Sequence, residues 1–281
     1  MNQSHPLRIL TYNVHGWLGL DGRREWDRIG DVIAKAGADV IGLNEVHQPH
    51  PSRPRHGPLD ELGRRLDHEH LFGVTIDSSP WPEWAGMAFG NALLSRFPIV
   101  DHDSHVLPNR PGIEPRGLLE ATLDLSGTEV TVYVTHLHAP ATQSAEELRR
   151  QQVDAILDIV GDCTPNHIIL GDFNSVMPAE RRPGEVSGAL QPLLDAGYVD
   201  AFAVAGEGEG PTFSTDDPRW RIDYIFVAPG LADQLLECRR IDNATVRVAS
   251  DHFPVMASFR VNGIEFALPG GVKTEDVMRD S

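Results

Sequence analysis

Apolar residues along the chain recur at two spacings, one typical of strands and one typical of helices. Residues 8–14 and 39–43 are short apolar runs that predict β-strands. Between them, residues 26–36 carry apolar side chains at helical spacing, and Gly37 suits the C-terminal cap of that helix. The chain therefore begins with a β–helix–β unit.

The same two patterns continue to residue 261. Further helices are predicted at residues 59–66, 145–160 and 190–196. Further strands are predicted at residues 72–76, 92–94, 99–106, 117–125, 129–137, 167–170, 221–227, 245–248 and 255–261. From residue 262 the pattern is lost, so we expect residues 262–281 to form a loosely docked or disordered tail.

The order of these elements indicates the fold class. Strands and helices alternate, and the middle of the chain is a hairpin-like pair of strands joined by a three-residue loop. No internal repeat or linker divides the sequence, so we expect one catalytic domain over residues 1–261. The predicted architecture is an α/β fold in which two sheets pack face to face with helices outside.

Net charge narrows the range of partners. The 281 residues include 41 acidic and 24 basic side chains, which gives a formal charge of −17. Such a charge repels polyanions at long range, whereas proteins that bind long nucleic acids usually present a basic face. Arg and Lys are scattered, so an extended nucleic-acid groove is disfavoured, but a short phosphorylated substrate is compatible with the charge.

Other compositional features exclude several classes of protein. Cys163 and Cys238 lie far apart without the spacing of a ligand pair, which argues against a disulfide framework or a structural zinc site. Residues 1–7 do not resemble a signal peptide, and no apolar stretch approaches membrane-spanning length. We therefore expect a cytoplasmic monomer without a membrane span.

The most informative motif is Gly171-Asp172-Phe173-Asn174, which follows the apolar run 167–170. This pattern predicts a buried strand that brings a carboxylate and an amide to the edge of a sheet. Asp and Asn are also common turn formers, so the motif gains weight from its neighbours. Four more polar clusters follow predicted strands or begin them: Asn13 in TYNVHG, Glu45 in IGLNEV, His136 in VTHLHA and Ser250-Asp251-His252 in SDHFPV.

These residue types suit metal-assisted phosphoryl chemistry. Mg²⁺ prefers oxygen ligands, which carboxylates such as Glu45 and Asp172 and the amide of Asn174 offer. The two histidines, His136 and His252, can transfer protons or donate hydrogen bonds to a phosphate. The spacing alone does not show that these groups meet in space.

The motifs also resemble a known family. TYNVHG, IGLNEV, GNALLSRFPI, EPRGLLEATL, THL, GDFNS, RIDYIFV and SDHFPV occur in this order between residues 8 and 261. Together they resemble the endonuclease/exonuclease/phosphatase family, whose metal-dependent phosphoesterases include deoxyribonuclease I, exonuclease III-type repair nucleases, neutral sphingomyelinases and inositol-polyphosphate 5-phosphatases. The resemblance implies a four-layer α/β/β/α sandwich built on two mixed or antiparallel sheets.

The resemblance also implies roles for individual residues. It implies that Glu45 is the principal ligand of a Mg²⁺ or Mn²⁺ ion, with Asn13 and Asp251 beside it. The catalytic residues that it implies are His252, oriented by Asp223, then Asp172 for the attacking water, Asn174 for the phosphate oxygens and His136 near the leaving group. Arg116 and Asn13 are implied to bind the phosphate of the substrate.

The sequence departs from the family pattern at Asn44, in the His-Ala that follows THL and in the lack of a basic track for duplex DNA, and it leaves the substrate open. Asn44 replaces a Gln that is common before the metal-binding Glu. We expect a hydrolase acting on a small phosphorylated compound or a phospholipid headgroup. The alternatives are a DNA or RNA nuclease of the same family, a relative that binds a phosphorylated ligand without hydrolysing it, and a zinc hydrolase built on His136 and His138.

Overall fold

The computed structural model describes residues 6–52, 56–80, 85–161 and 166–260. The predicted tail at residues 262–281 lies outside the described residues. Two sheets form the centre of the protein, one of seven strands and one of six.

The first sheet contains both ends of the described chain. Its strands, in spatial order, are β10 (Gly206–Glu207), β12 (Leu235–Arg240), β13 (Val255–Phe259), β1 (Leu7–Asn13), β2 (Val40–Pro49), β4 (Met87–Ser95) and β3 (Glu69–Ile76). Strand β1 pairs in parallel with β2 and antiparallel with β13. The first strand is therefore central in the sheet, and the last strand lies beside it.

The second sheet contains the GDFN motif. Its strands, in spatial order, are β5 (Ile99–Val106), β6 (Gly117–Asp124), β7 (Glu129–His136), β8 (His167–Asp172), β11 (Asp223–Val227) and β9 (Val199–Asp200). Strands β7 and β8 are parallel, and the other pairs are antiparallel. Both sheets are therefore mixed, as the sequence predicts.

Helices cover the outer faces of the two sheets. The helices are α1 (Trp26–Ala36), α2 (Pro58–Leu66), α3 (Gln143–Val160), α4 (Gln191–Asp195), α5 (Ala201–Ala205) and α6 (Val246–Ala249). One apolar core joins the facing strands, a second packs α1 and α2 on the first sheet, and a third packs α3 and α4 on the second. This arrangement confirms the α/β/β/α sandwich.

Several predictions of secondary structure were wrong or incomplete. Residues 245–248 were predicted as a strand, but they belong to α6, where the Asn243 side chain accepts hydrogen bonds from the N–H groups of Thr245 and Val246. Strand β12 and the short elements β9, β10 and α5 were not predicted. Strand β2 extends to Pro49, and β4 begins at Met87 rather than at residue 92. Within the described ranges, no helix is both long and apolar enough to cross a membrane.

The topology brings the predicted site residues to one edge of the sandwich. Strand β1 ends at Asn13, which is in register with Asn44 of the parallel β2. Strand β7 ends at His136, in register with Asp172 at the end of the parallel β8. Asp223 begins the antiparallel β11 and also lies opposite Asp172. The polar ends of both sheets therefore face the same region, which we call the catalytic edge.

Candidate active site

Asn13 connects the two sheets at the catalytic edge. Its side-chain Nδ2 donates hydrogen bonds to Glu45 Oε1 at 3.1 Å and to Asp172 Oδ2 at 3.0 Å. The carboxylates of Glu45 and Asp172 are thus held on either side of one amide, although they come from different sheets. The sequence predicted all three residues as members of one site, and the structure places them together.

Glu45 protrudes from β2 at an irregularity of the strand. The pairing of β2 with β4 shifts register between Leu43 and Val46, and Glu45 has a positive φ of 59°. Non-glycine residues seldom adopt this conformation, which occurs mostly at turns and functional sites. The side chain keeps 28% exposure, so its carboxylate can reach a cation that carries several water molecules.

The GDFN motif folds as a tight turn after β8. Gly171 has φ 143°, and a Cβ atom at this position would lie 1.8 Å from the carbonyl oxygen of Thr135. A side chain is therefore excluded where β8 passes β7. Asp172 Oδ1 then accepts a hydrogen bond from the N–H of Asn174 at 2.9 Å, and Asn174 has φ 49°. This Asx turn directs Asn174 back toward His136.

His252 lies between two buried carboxylates. Its Nδ1 is 2.9 Å from Asp223 Oδ2, and its Nε2 is 3.6 Å from Asp172 Oδ2. Burial favours the neutral ring, but the negative charges of Asp223 and Asp172 and the hydrogen bond to Asp223 outweigh burial and raise the pKa of His252 to about 10. The ring is therefore an imidazolium near neutral pH.

The Asp172 carboxylate lies among Asn13, His136 and His252 at the centre of the site. Burial and the nearby charge of Asp223 raise the pKa of Asp172 to about 7, against the opposing effects of His252 and the hydrogen bonds from Asn13 and Asn174. A carboxylate with a pKa in this range can accept a proton at neutral pH. Asp172 therefore has the properties of a general base.

His136 occupies the opposite electrostatic environment. Arg116 donates a hydrogen bond from a guanidinium nitrogen to His136 Nδ1 at 2.9 Å. Burial and the positive charges of Arg116 and His252 hold the pKa of His136 well below its usual value. Because a guanidinium can only donate, the bond from Arg116 requires the single ring proton on Nε2, which lies 3.5 Å from Asp172 Oδ2. Asn174 Nδ2, 2.9 Å from Nε2, is also a donor, so in this form of the ring the two groups face each other without a hydrogen bond.

Arg116 is buried, with 6% exposure, and its guanidinium also pairs with Glu114 at 2.8 Å. The predicted phosphate-binding residue thus contacts His136 directly. Asp251 lies to one side of the site, where its Oδ1 is 3.7 Å from His15 Nδ1. The neighbouring Ser250 donates a hydrogen bond to the carbonyl oxygen of Asn13 at 2.7 Å, which ties the His252 segment to β1.

The donor set fits a hard divalent cation near Glu45. Glu45 and Asp172 offer carboxylate oxygens, and Asp223 Oδ1 is buried without a hydrogen-bond partner among the described residues. Asn13, predicted as a further metal ligand, turns its Nδ2 donor toward these carboxylates and its Oδ1 toward the N–H of His15, so here it orients the ligands. Asp172, Asp223 and His252 form the cluster of metal-ligating groups whose atoms lie within 4.8 Å of one another, and it is the one found in the described ranges. We favour Glu45 over this cluster, because an imidazolium cannot ligate a metal and already neutralises one carboxylate there. His138 belongs to no such cluster in these ranges, which weakens the zinc alternative.

Sequence reasoning missed several residues that support the site. Asn44 Oδ1 accepts a hydrogen bond from the N–H of Asp172, and its Nδ2 donates to Asn91 Oδ1 and to the carbonyl oxygen of Thr135. These buried amides join the two sheets behind the catalytic edge. The available signal was a polar residue within an apolar strand, in IGLNEV and in GNALL.

Helix α3 supplies a second group of supporting residues. Glu146 and Arg149 form a buried ion pair at 2.7 Å. Glu146 Oε1 accepts hydrogen bonds from Ser175 Oγ and the N–H of Ala189, both at 2.8 Å. Arg149 donates to the carbonyl oxygens of His138 and Pro140 at 2.6 and 2.8 Å. The pair therefore fixes the segments that follow His136 and Asn174.

Comparisons with known proteins agree with this arrangement. Residues 10–252 match the Endonuclease/Exonuclease/phosphatase family. Protein cwh43 of Schizosaccharomyces pombe is 33% identical over 131 residues, which cover 47% of this chain and 13% of that protein. The chain thus spans only a small part of that curated relative.

Solved structures of other proteins share the fold. An endonuclease/exonuclease/phosphatase from Beutenbergia cavernae has a TM-score of 0.76 and 27% identity, covering 92% of this chain and 72% of that one. A mannosyl-6-phosphatase from Bacteroides thetaiotaomicron has a TM-score of 0.67 and 18% identity, covering 91% and 100%. D. rerio TDP2, solved with a single-strand DNA product, has a TM-score of 0.65 and 20% identity, covering 92% and 100%.

The last two likenesses show the fold alone, because their identities are low. The family match extends from β1 to the His252 segment and includes every residue described above at the catalytic edge. By this match, the chain belongs to the Endonuclease/Exonuclease/phosphatase family.

Proposed function

We propose that the protein is a Mg²⁺- or Mn²⁺-dependent hydrolase of phosphate esters, acting on a small phosphorylated compound or a phospholipid headgroup. The observation that carries this proposal is the position of Asp172. Its carboxylate, with a pKa raised to about 7, faces the His252 imidazolium on one side and the Asn13–Glu45 pair on the other. A base, the His252 imidazolium and a carboxylate that can hold a metal ion, gathered about Asp172, suit the attack of water on a phosphate.

The proposed roles follow from charge and hydrogen bonding. Asp172 orients the attacking water and accepts its proton. His252, kept protonated by Asp223, stabilises the negative charge that develops on the phosphate oxygens. Asn174 and the Nε2–H of His136 contribute further hydrogen bonds to the phosphate or the leaving oxygen.

Glu45 would hold the metal ion, with Asn13 fixing its carboxylate and Asp251 nearby to bind a metal-coordinated or free water. A bound Mg²⁺ or Mn²⁺ would supply Lewis-acid stabilisation of phosphate charge. Asn13 keeps Glu45 and Asp172 apart by bonding to both, which lets one carboxylate serve the metal and the other serve the water. Arg116 either binds a phosphate oxygen or acts through His136.

A panel of phosphate monoesters and diesters, assayed with Mg²⁺, with Mn²⁺ and with EDTA, tests this proposal. We expect turnover that EDTA abolishes and that added metal restores. Glu45→Gln should need a much higher metal concentration, whereas Glu120→Gln, which changes a carboxylate away from the catalytic edge, should behave as the wild type. Turnover that persists in EDTA, or none with any ester, would contradict the proposal.

A nuclease is the second candidate, favoured by the shared fold of D. rerio TDP2 with its DNA product. The charge of −17 argues against it, because affinity for duplex DNA comes largely from basic groups that neutralise its phosphates. We expect weak duplex binding with a shallow dependence on salt. A gel-shift titration at two salt concentrations decides: sub-micromolar binding that collapses with salt would put the nuclease first.

Inert binding of a phosphorylated ligand is the remaining alternative. A binding protein has no need of a base beside a His–Asp pair. Tight binding that Asp172→Asn leaves unchanged, with no turnover in either protein, would favour this alternative over hydrolysis.

A further inference from the structure

A groove of about 420 Å³ opens directly beside the catalytic edge. Apolar side chains form most of its lining, among them Ala139, Val176, Val186, Phe213 and Trp220. Its mouth is shared with the catalytic edge, because Asn174 also lines it. Because this apolar lining lies next to a site of charged groups, we ask which part of a substrate it would contact.

The charged residues of the groove are already engaged. Glu185 accepts hydrogen bonds from the indole N–H of Trp220 at 2.7 Å and from the backbone N–H of Arg182 at 2.8 Å. Arg149 is held in its buried ion pair with Glu146. Within the described ranges, the groove therefore offers a guest mainly apolar surface, and the charge of Glu185 disfavours a second phosphate.

Two contacts connect this groove with the reacting groups. Asn174 Nδ2 is 2.9 Å from His136 Nε2, and the centre of the Phe213 ring is 4.8 Å from the centre of the His252 ring. A group bonded to a phosphate at the catalytic edge would thus reach the groove without a long spacer.

The walls of the groove are fixed before any substrate binds. The indole of Trp220 is held by Glu185, and the floor is held by the Glu146–Arg149 pair through Ser175 and the carbonyl oxygens of His138 and Pro140. A preformed wall loses little side-chain freedom on binding, so burial of apolar surface there converts efficiently into affinity.

A second pocket, of about 370 Å³, lies on the Glu45 side and has a different lining. Its residues include His15, Arg24, Glu45, Glu114 and Arg116, most of them polar or charged. The two sides of the catalytic edge are therefore chemically unequal. This asymmetry favours a substrate with one polar and one apolar side about the phosphate.

We propose that the groove binds an uncharged apolar substituent, aromatic or branched aliphatic, carried by an alcohol of the phosphate ester. This inference rests on the proposed function for the position of the phosphate. It narrows the substrate class to amphiphilic phosphate esters and away from polynucleotides and simple sugar phosphates, whose groups next to the phosphate are polar.

Phosphonates test the inference because each carries a single organic group and is not hydrolysed. We would measure the binding of methylphosphonate and benzylphosphonate with Mg²⁺ present by titration calorimetry. Benzylphosphonate should bind at least about tenfold more tightly, since burial of apolar surface drives its association. It should also change the tryptophan fluorescence, and Trp220→Phe should remove that change.

A matched pair of variants locates the preference. Val186→Asp places a carboxylate in the groove and should reduce the benzyl-to-methyl affinity ratio to near one. Val106→Asp makes the same change at a residue that is 82% exposed on β5, and it should keep the wild-type ratio. Val186→Ser gives the same comparison with a smaller perturbation if Val186→Asp fails to fold in thermal melting.

Equal affinities in the wild type, no binding of benzylphosphonate, or a ratio that survives both Val186 variants would overturn the inference. The proposed function fails in a different way. If the protein hydrolyses esters but shows no preference for the benzyl group, the proposed function stands and the proposed role of the groove is wrong. If the protein prefers the benzyl group but hydrolyses no ester, the proposed role of the groove stands and the proposed function is wrong.

Discussion

The two buried histidines of the catalytic edge have opposite partners. His252 contacts Asp223 and Asp172, and its pKa is raised to about 10. His136 contacts Arg116, and its pKa is held well below its usual value. Both rings are almost fully buried, at 4% and 3% exposure, so burial does not distinguish them. The neighbouring charge does.

The comparison indicates that the two histidines contribute to the proposed reaction in different ways. A protonated His252 can stabilise phosphate charge as a cation, whereas a neutral His136 with its proton on Nε2 can contribute only a hydrogen bond. Residue type alone would assign both histidines the same acid–base role. The three predictions below test this difference, from the largest expected effect to the smallest.

Replacement of each histidine by alanine should give unequal losses. His252→Ala should lower kcat by at least about 10²-fold, the scale expected when electrostatic stabilisation of a transition state is lost. His136→Ala should lower kcat by about five- to tenfold, because a neutral hydrogen bond contributes ~1 kcal/mol. Steady-state kinetics on the best ester of the panel measures both.

The exposed His102 provides the control for these two variants. His102→Ala should leave kcat unchanged, and thermal melting should show that all three proteins are folded. Equal losses at His252 and His136 would show that the opposite charge environments have no catalytic consequence.

Asp223→Asn should convert His252 toward the environment of His136. In the wild type, turnover should fall below a pH of about 7 as Asp172 becomes protonated, and again above about 10 as His252 loses its proton. Asn removes the negative charge that most raises the pKa of His252, so the alkaline limb should move to lower pH. We expect kcat near pH 8 to fall about tenfold.

The pH profile of kcat measures this shift. The acid limb should move little in Asp223→Asn, because the variant removes a negative charge that raises the pKa of Asp172 and also weakens the positive charge of His252 that lowers it. An alkaline limb that stays in place would show that Asp223 does not set the charge of His252.

Arg116→Met tests the environment of His136, the second histidine of the comparison. The variant removes the donor to His136 Nδ1, so the ring is no longer restricted to the Nε2–H form. We expect kcat to fall about fivefold with KM nearly unchanged, the size of one hydrogen bond made mainly in the transition state. Arg116→Met also removes the ion-pair partner of Glu114, and Glu114→Gln is the control for that loss.

A large rise in KM with an unchanged kcat would instead show that Arg116 binds the phosphate of the ground state. Arg116→Lys sharpens the result, because it keeps the positive charge but not the fork of the guanidinium. Recovery of KM in that variant would indicate charge-driven binding of phosphate.

Much of the fold was predictable from local patterns. The helix at residues 26–36 has the predicted bounds, because its apolar spacing and its Gly37 cap act locally. The strand at residues 99–106 also has the predicted bounds, although most of it is exposed. Strand β12 was missed, and α6 was predicted as a strand. Both are short segments whose conformation depends on packing against β13 and on the Asn243 side chain.

The site was predictable in its members and less so in its contacts. The motifs identified residues from both sheets as candidates, and the structure brings Asn13, Glu45, His136 and Asp172 to one edge. The hydrogen bond between Arg116 and His136, the cross-sheet amide of Asn44 and the Glu146–Arg149 pair depend on long-range packing, so residue spacing does not reveal them.

The pairing of β1 with β13 has a consequence for how the protein acquires activity. Ser250 Oγ bonds to the carbonyl oxygen of Asn13 across 237 positions of sequence, and His252 follows two residues later. The catalytic edge therefore cannot close on the ribosome until nearly the entire domain has emerged. Contacts between such distant positions also slow folding, since a long loop must close before they form. A nascent chain that lacks the Ser250 segment therefore lacks the contact that ties His252 to β1, and the catalytic edge is completed in one late step.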